Sequence, residues 1–127
     1  MKLKIVTPER IVYDDDVDAV YAKAIDGELG ILPKHVPLVT PLDIAVMHFK
    51  KADTTYYATV MEGLLSTDGE TVTILTEAAE MAGDIDFARA EAAWKRAEAK
   101  LKSTQEKHEA DRAQADLERA VVRMKLK

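Results

Sequence analysis

The chain has 127 residues, of which 47% are apolar and 32% charged, which suffices for one domain or one small domain with an appendage. Its formal net charge of −5 argues against nucleic-acid binding, and its lack of cysteine excludes disulfides and thiolate chemistry. No apolar run approaches the roughly 20 residues that span a bilayer, and residues 1–6 lack the apolar core of a signal peptide. We therefore expect a soluble, cytoplasmic protein that meets a membrane only through a partner.

Up to about residue 83, apolar and polar residues alternate with a period of two. Leu3 and Ile5 alternate with lysines, and Val72 and Ile74 alternate with threonines, as in half-buried strands. Turn signals that contain glycine or proline separate these segments, with no helical insert between them. The pattern predicts an antiparallel β-sandwich or barrel over residues 1–83.

The composition changes abruptly after Gly83, because all five glycines and all four prolines lie at or before it. Residues 84–127 consist mostly of Ala, Glu, Lys, Arg, Asp and Gln, and their apolar residues recur at steps of three and four. Two amphipathic helices in a hairpin hinged near residues 102–109 fit this pattern. The chain is therefore predicted to be an α+β protein with a helical hairpin in residues 84–127.

Local signals predict where the two helices begin. Asp84 or Asp86 can cap the first helix, and Ser103 with Glu106 is typical of a capping box for the second. The apolar stripes of both helices are narrow and rich in alanine, which buries little area against the entropy of ordering. We therefore expect a loosely held hairpin that can open.

Charge divides along the same boundary. Residues 1–83 carry 7 Lys and Arg against 14 Asp and Glu, whereas residues 84–127 carry 11 against 9. The last nine residues include four basic residues and no acid. This end either binds an acidic partner surface or is a solvated helix terminus that complements the helix dipole, and charge alone favours the second interpretation.

No pattern typical of catalysis is found. The sequence lacks a glycine-rich phosphate loop followed by lysine and a glycine-flanked serine nucleophile. His35, His48 and His108 are scattered, and residues 14–16 lack the alternating ligand spacing of an EF-hand loop. We predict a binding or regulatory protein with no catalytic residues and no metal site.

Residues 84–90, at the start of the first helix, are more distinctive. Asp86 and Arg89 are three apart and share a helix face. An exposed arginine beside the free amides of a helix start can bind phosphate. An N-cap aspartate with a local ion pair explains the same residues, and from the residues alone it is the preferred interpretation.

Residues 27–40, Gly-Glu-Leu-Gly-Ile-Leu-Pro-Lys-His-Val-Pro-Leu-Val-Thr, closely resemble the signature loop of the epsilon subunits of F-type ATP synthases. Residues 4–8 and 70–75 also fit this family, as does the helical hairpin, so the resemblance covers essentially the whole chain. Two residues depart from the family pattern. Lys34 replaces a glycine, and a lysine would be strained there if the position required a positive φ. Glu62 replaces the first glycine of a common Gly-Gly pair.

The resemblance implies a flattened antiparallel β-sandwich of about ten strands followed by an antiparallel two-helix hairpin. It implies a non-catalytic rotor subunit at the cytoplasmic side of a bacterial cell membrane, docked on the gamma subunit and the c-ring without inserting into the membrane. Glu28 and His35 would lie at the c-ring contact. A generic β-sandwich interaction module with a helical tail is the alternative.

The resemblance also implies that the extended helices inhibit ATP hydrolysis by reaching the alpha and beta subunits. Basic residues of the second helix would then contact an acidic segment of beta. The candidates for that contact are Arg112, Arg119, Arg123 and Lys125.

Some bacterial members bind ATP through the motif Ile/Leu-Asp-x-x-Arg-Ala, which residues 85–90 match. In them, ATP is a regulatory ligand that holds the hairpin folded, and it is not a required cofactor. The resemblance implies that Glu80 and Asp86 accept hydrogen bonds from adenine or ribose, and that Arg89 and Arg96 neutralise phosphates. The implied ATP-binding residues are Glu80, Ile85, Asp86, Arg89, Ala90 and Arg96.

Overall fold

The computed structural model describes residues 1–127, which form eight strands and then two helices. The strands are β1 (Lys2–Val6), β2 (Ile11–Asp16), β3 (Ala19–Ala24), β4 (Gly27–Ile31), β5 (Leu38–Lys51), β6 (Thr54–Thr67), β7 (Thr71–Thr76) and β8 (Ala79–Met81). A 3-10 turn at Ala82–Asp84 leads into α1 (Phe87–Ser103), which is followed by α2 (Lys107–Met124). The predicted order of a β-domain followed by a helical hairpin is confirmed.

The strands hydrogen-bond in the order β2-β1-β7-β6-β5-β3-β4, and β8 pairs with β6. Neighbouring strands are antiparallel, with one exception: β1 and β7 are parallel. The predicted antiparallel sandwich is therefore confirmed except at this one parallel pair. Alternation within β1 and β7 predicts their buried faces but carries no information about their relative direction.

The number of strands also differs from the predicted ten or so, because β5 and β6 are each 14 residues long and serve both layers of the sandwich. The first half of β5 pairs with the second half of β6 beside β7, and the other halves pair beside β3 and β8. Both long strands continue through the region where the layers meet, so each counts as one strand. The sandwich architecture itself is confirmed.

An irregularity in β6 lies between these halves. Leu42 pairs with Gly63 and Ile44 pairs with Met61, but Asp43 and Glu62 between them form no pair, so the ladder is interrupted there. Glu62 has φ +62° and Gly63 has φ +156°, and a Cβ on Gly63 would lie 2.1 Å from the carbonyl oxygen of Leu75. Only glycine fits this position, which explains why the second glycine of the expected pair is retained.

One hydrophobic core of 15 buried residues fills the sandwich. Leu3 and Ile5 of β1, Ile74 of β7 and Phe49 of β5 are completely buried. Burying each such side chain stabilises the fold by roughly 1.5–3 kcal/mol. The inward residues of β1 and β7 are the ones that the period-two pattern predicts.

The N-caps of the helices differ in how well the sequence predicts them. Asp86 caps α1, as expected, and its Oδ1 accepts the backbone N–H of Arg89 at 3.0 Å. The predicted capping box of Ser103 with Glu106 is wrong, because Ser103 is the last residue of α1. Glu106 itself caps α2 and accepts the backbone N–H groups of His108 and Glu109 at 3.0 and 3.1 Å.

The two helices pack against each other through small side chains. Ala90 and Ala97 of α1 are buried, as are Ala113 and Ala120 of α2. The main contacts of the hairpin with the sandwich are made by α2, against β5 and β6. Neither helix combines the length and the apolar character that crossing a bilayer would require.

Candidate functional site

The junction between the sandwich and α1 contains the Ile-Asp-x-x-Arg-Ala motif. Ile85 and Ala90 are buried, at 7% and 3% exposure, so both contribute packing. Only Oδ1 of the exposed Asp86 carboxylate is engaged, in the helix cap, so its other oxygen is available to a ligand. The side chain of Arg89 is exposed and forms no ion pair with the acidic residues of the chain. The junction therefore presents one carboxylate oxygen and one free guanidinium.

A groove of about 540 Å³ lies between α1 and α2. Three alanines from the two helices lie at its apolar part, and most of its other lining residues are charged. The cations are Arg96, Lys100, Arg112, Arg119 and Arg123, and the anions are Glu109 and Asp116. An excess of positive charge in a half-enclosed groove favours a multiply charged anion.

Two of the cations that line the groove form ion pairs with acidic residues of the same groove. Lys100 lies 3.5 Å from Glu109, and Arg119 lies 3.5 Å from Asp116. The Thr104 hydroxyl, which donates to Glu109 at 2.7 Å, and the nearby Lys100 charge together hold the pKa of Glu109 below its usual range. Glu109 therefore stays ionised and paired.

Two other cations of the groove, Arg96 and Arg112, have no carboxylate within ion-pair distance. They project from different helices into the same space. A phosphate placed between them could accept hydrogen bonds from both guanidinium groups without breaking an existing ion pair. These two arginines are therefore the most available anion ligands in the groove.

Ion pairs join the end of α2 to the sandwich. Arg123 Nε donates to Glu80 Oε1, and both side chains are largely buried, at 27% and 29% exposure. Arg119 lies 3.8 Å from Glu77, which is 74% exposed. The sandwich is thus attached to the hairpin through two of the arginines that line the groove.

The structure brings together only part of the predicted site. Arg96 lines the groove. Glu80 does not line it, but forms an ion pair with Arg123, which does. Arg89 is not among the residues that line the groove, and Lys125 lies on the other side of α2, beside Lys23. No three His, Asp or Glu side chains are grouped so as to hold a metal ion.

Sequence reasoning missed that three arginines of α2 face the first helix. It assigned Arg112, Arg119 and Arg123 to an external partner, whereas in the folded hairpin they line the same groove as Arg96. Their spacing of seven and four residues places them on one helix face, and Lys100 lies four residues after Arg96. This periodicity, applied to cations and not only to apolar residues, is the signal that could have identified the groove.

The loop between β4 and β5 carries the signature residues. Lys34 has φ +69°, and its backbone N–H donates to the carbonyl oxygen of Gly69 at 2.9 Å, so the β6–β7 turn anchors the loop. The ring Nδ1 of His35 lies 2.7 Å from the carbonyl oxygen of Val36, to which it donates as the Nδ1–H tautomer. Glu28 is exposed on β4. Four apolar side chains near this end of the sandwich are exposed by more than half: Ile25, Leu32, Val36 and Val39.

A second exposed surface crosses the outer face of the sheet. The strand registers align Ile11, Val6, Leu75, Leu64 and Pro41 as neighbours across β2, β1, β7, β6 and β5. We call these five residues the apolar row. Three of them, Ile11, Leu75 and Leu64, are 58%, 51% and 39% exposed. A continuous exposed apolar surface of this kind is typical of a protein interface.

Comparisons with known proteins cover the whole of this architecture. Residues 1–82 match the family described as ATP synthase, Delta/Epsilon chain, beta-sandwich domain, and residues 84–127 match the ATP synthase, Delta/Epsilon chain, long alpha-helix domain. The ATP synthase epsilon chain of Halalkalibacterium halodurans is 43% identical over 98% of this chain and 94% of its own length. That of Anoxybacillus flavithermus is 49% identical over 83% of this chain and 78% of its own length.

Solved structures share the fold. A chain in a cryo-EM structure of the Euglena gracilis mitochondrial ATP synthase (OSCP/F1/c-ring, rotational state 1) superposes with a TM-score of 0.81 at 20% identity, covering 94% of this chain and 76% of that one. A chain of the central stalk and c-ring of the Tetrahymena thermophila mitochondrial ATP synthase gives a TM-score of 0.60 at 13% identity, covering 98% and 93%. At these identities the likeness concerns the fold, whereas the matches to sequence families and relatives settle the membership. The chain belongs to the delta/epsilon chain family of ATP synthases.

Proposed function

We propose that this protein is the epsilon subunit of a bacterial F-type ATP synthase, a non-catalytic rotor subunit that couples the catalytic head to the c-ring. The observation that carries the proposal is the combination of a sandwich with exposed apolar surfaces and a hairpin that forms a cationic groove. The relatives named above are epsilon chains that match 83% and 98% of this chain. The protein would lie at the cytoplasmic side of the membrane and be held there by its partners.

The apolar row supports docking on the gamma subunit. A partner that packs against this outer face would remove two large apolar side chains, Leu75 and Ile11, from water, which favours binding. The loop that carries Glu28 and His35 would meet the c-ring. Its anchoring to Gly69 holds the exposed Leu32 and Val36 in a defined position, which a docking loop requires.

The groove supports ATP as a regulatory ligand of the folded hairpin. Arg96 and Arg112 would bind phosphates, while the free oxygen of Asp86 and the carboxylate of Glu80 would accept hydrogen bonds from the nucleoside. The exposed Arg89, in the first turn of α1, would add a further cation. Ligand that binds only the folded hairpin stabilises that state by mass action.

The same arrangement suggests how inhibition would be controlled. In the folded hairpin, Arg119 and Arg123 pair with Glu77 and Glu80 of the sandwich, and the exposed Arg112 lies at the groove, where a bound anion would occupy it. In an extended hairpin they would be free, together with Lys125, to contact the beta subunit and inhibit ATP hydrolysis. Folding and inhibition would then exclude each other because they use the same guanidinium groups.

Docking on gamma is tested with one substitution in the apolar row. Leu75→Asp places a charge on an exposed strand position, so the fold should survive while affinity for gamma falls at least about tenfold. Tyr57→Asp is the matched control, since Tyr57 is similarly exposed on the second layer of the sandwich. Affinity is measured by co-purification with gamma and by surface plasmon resonance on immobilised gamma.

Two outcomes would contradict this proposal. If the Leu75→Asp variant binds gamma as tightly as the wild type, the apolar row is not the docking surface. If the wild-type chain shows no affinity for gamma, the alternative of a generic β-sandwich interaction module with a helical tail is preferred. Thermal unfolding of both variants, which should match that of the wild type, excludes loss of the fold as the cause.

A further inference from the structure

The contact between Glu80 and Arg123 is unlike the other ion pairs of the chain. It joins residues 43 positions apart, and both side chains are more than two-thirds buried. The backbone of Glu80 is fixed in turn, because its N–H donates to the hydroxyl of the fully buried Thr59 at 3.2 Å. The carboxylate is therefore held in one place, and α2 brings the guanidinium to it.

Arg123 has a second environment, since it also lines the groove between the helices. Its Nε is occupied by Glu80, whereas the exposed Arg96 and Arg112, which line the same groove, have no acidic partner. An anion that binds these two arginines and is long enough to follow the groove would also meet Arg123. There it meets a guanidinium that already holds one carboxylate oxygen.

We propose that Glu80 is a displaceable internal ligand of Arg123, which a linear polyphosphate replaces when it fills the groove. The proposal deepens the ATP regulation proposed above and rests on it only in that the groove binds a triphosphate. A phosphate group carries more charge than a carboxylate and can accept two parallel N–H bonds from one guanidinium. Glu80, which is partly exposed, then returns to water or becomes free to accept hydrogen bonds from a nucleoside.

The exchange gives Glu80 two opposing effects. Without a ligand, its ion pair holds the end of α2 on the sandwich and so favours the folded hairpin. For the same reason, the pair competes with the ligand and weakens its binding. Removing the carboxylate should therefore loosen the empty hairpin and strengthen polyphosphate binding, two changes that a simple structural role for Glu80 would not combine.

Inorganic tripolyphosphate is the probe for the first measurement, because it lacks the base and the sugar that Glu80 could otherwise contact. Calorimetric titration of the full chain should show binding about two- to fivefold tighter in the Glu80→Gln variant than in the wild type. The Arg123→Gln variant should bind more weakly. Glu77→Gln is the matched control: it removes the same charge beside Arg119 and should change the affinity less than twofold.

The second measurement follows the hairpin directly. Because the chain has no cysteine, spin labels can be attached at Asp53→Cys and Gln105→Cys, two exposed positions in the β5–β6 turn and between the helices. Without tripolyphosphate, Glu80→Gln should lower the ratio of docked to open hairpins about fivefold. With saturating tripolyphosphate, the wild type and Glu80→Gln should have the same distance distribution. Glu77→Gln, which removes only an exposed pair, should change the ratio of docked to open hairpins less than about twofold.

Equal or weaker tripolyphosphate binding in Glu80→Gln overturns the exchange, as does an empty hairpin that this substitution leaves unchanged. ATP is titrated into the same labelled samples to separate this proposal from the previous one. If ATP closes the hairpin and tripolyphosphate does not bind, the exchange is overturned and ATP regulation stands. If tripolyphosphate behaves as expected and ATP has no effect, the exchange is supported and nucleotide regulation is contradicted.

Discussion

A single residue, Lys34, bears strain in the loop on which c-ring docking would depend. Its φ of +69° lies in the left-handed region, which costs an L-residue with a β-carbon roughly 1–2 kcal/mol. Its backbone N–H is bonded to Gly69, and His35 N–H closes the turn onto the carbonyl oxygen of Leu32 at 3.1 Å. The loop therefore imposes this conformation on whichever residue occupies the position.

Replacing Lys34 with glycine should stabilise the sandwich. Glycine removes the left-handed penalty but loses more conformational entropy on folding, so the net gain in unfolding free energy should be about 0.5–1 kcal/mol. Chemical denaturation of the two proteins measures it. Lys34→Ala is the control, because it removes the same long side chain and keeps the β-carbon; a gain as large as that of glycine would show that backbone strain is not the cause.

Residue-level predictions from sequence succeed where the contact is local. The cap formed by Asp86 lies three residues from the amide that it accepts, so the sequence alone indicates it. The pair of Glu80 and Arg123 spans the boundary between two parts of the chain, and no spacing rule connects them. Glu80 is therefore expected from the resemblance only as a ligand contact, whereas the structure shows it bound to α2.

At the scale of elements, the hairpin turn is held by side chains of both helices and of the loop between them. The Thr104 hydroxyl donates to Glu109, Lys100 approaches the same carboxylate, and Glu106 caps α2. These contacts form a second attachment between the helices, at the end far from the sandwich. They also explain why α2 begins after Glu106 and not at Ser103.

This turn should depend on pH. The pKa of Glu109 in the folded hairpin is lowered, chiefly by the hydrogen bond from Thr104 and then by the charge of Lys100. The stabilisation is therefore fully present above the ordinary glutamate pKa of 4.5 and is lost as the pH falls through the lower value in the folded hairpin. We expect amide exchange in the turn to accelerate below that point.

Carboxyl NMR of Glu109 as a function of pH measures the effect. Thr104→Ala should move the midpoint of Glu109 back towards its ordinary value, because the largest cause is removed. Ser103→Ala is the matched control, since the Ser103 hydroxyl donates to the carbonyl oxygen of Lys100 and does not touch Glu109. An unchanged midpoint in Thr104→Ala would contradict the assignment of the hydrogen bond.

The elements themselves were predictable to different degrees. Period-two alternation identifies β1 and β7 because half-buried strands must place alternate residues in the core, and alanine-rich periodicity identifies both helices. The direction of β1 relative to β7 and the continuity of β5 and β6 through both layers depend on long-range pairing. Alternation carries no information on either, which is why the strand count differs slightly from the prediction and the one parallel pair could not be anticipated.

At the scale of the whole molecule, the two parts of the chain are joined by few interactions. The helices bury mostly alanine between them, and α2 contacts the sandwich near its C-terminal end through two ion pairs and a small apolar surface. Such a contact stabilises the folded hairpin far less than the core stabilises the sandwich. A ligand that bound only the folded hairpin would therefore shift the balance between folded and open states.

Limited proteolysis with trypsin tests this balance in the intact chain, because residues 84–127 contain 11 lysines and arginines as cleavage sites. Without ATP, cleavage in the hairpin should precede cleavage in the sandwich. At an ATP concentration tenfold above its dissociation constant, the open fraction and hence the cleavage rate should fall about tenfold. A hairpin as resistant as the sandwich without ATP would contradict the loose attachment.

The double variant Asp86→Ala with Arg89→Ala identifies the site of the effect. Asp86→Ala also removes the cap of α1, at a cost of about 1 kcal/mol, so the decisive quantity is the ratio of cleavage rates with and without ATP. That ratio should approach one in the double variant, and its calorimetric heat of ATP binding should vanish. Lys95→Ala is the control, because Lys95 is 78% exposed and pairs only with Glu91 on its own helix. Equal protection of the double variant and the wild type would exclude the junction as the nucleotide site, and the absence of binding heat in the wild type would exclude ATP as the ligand that keeps the hairpin folded.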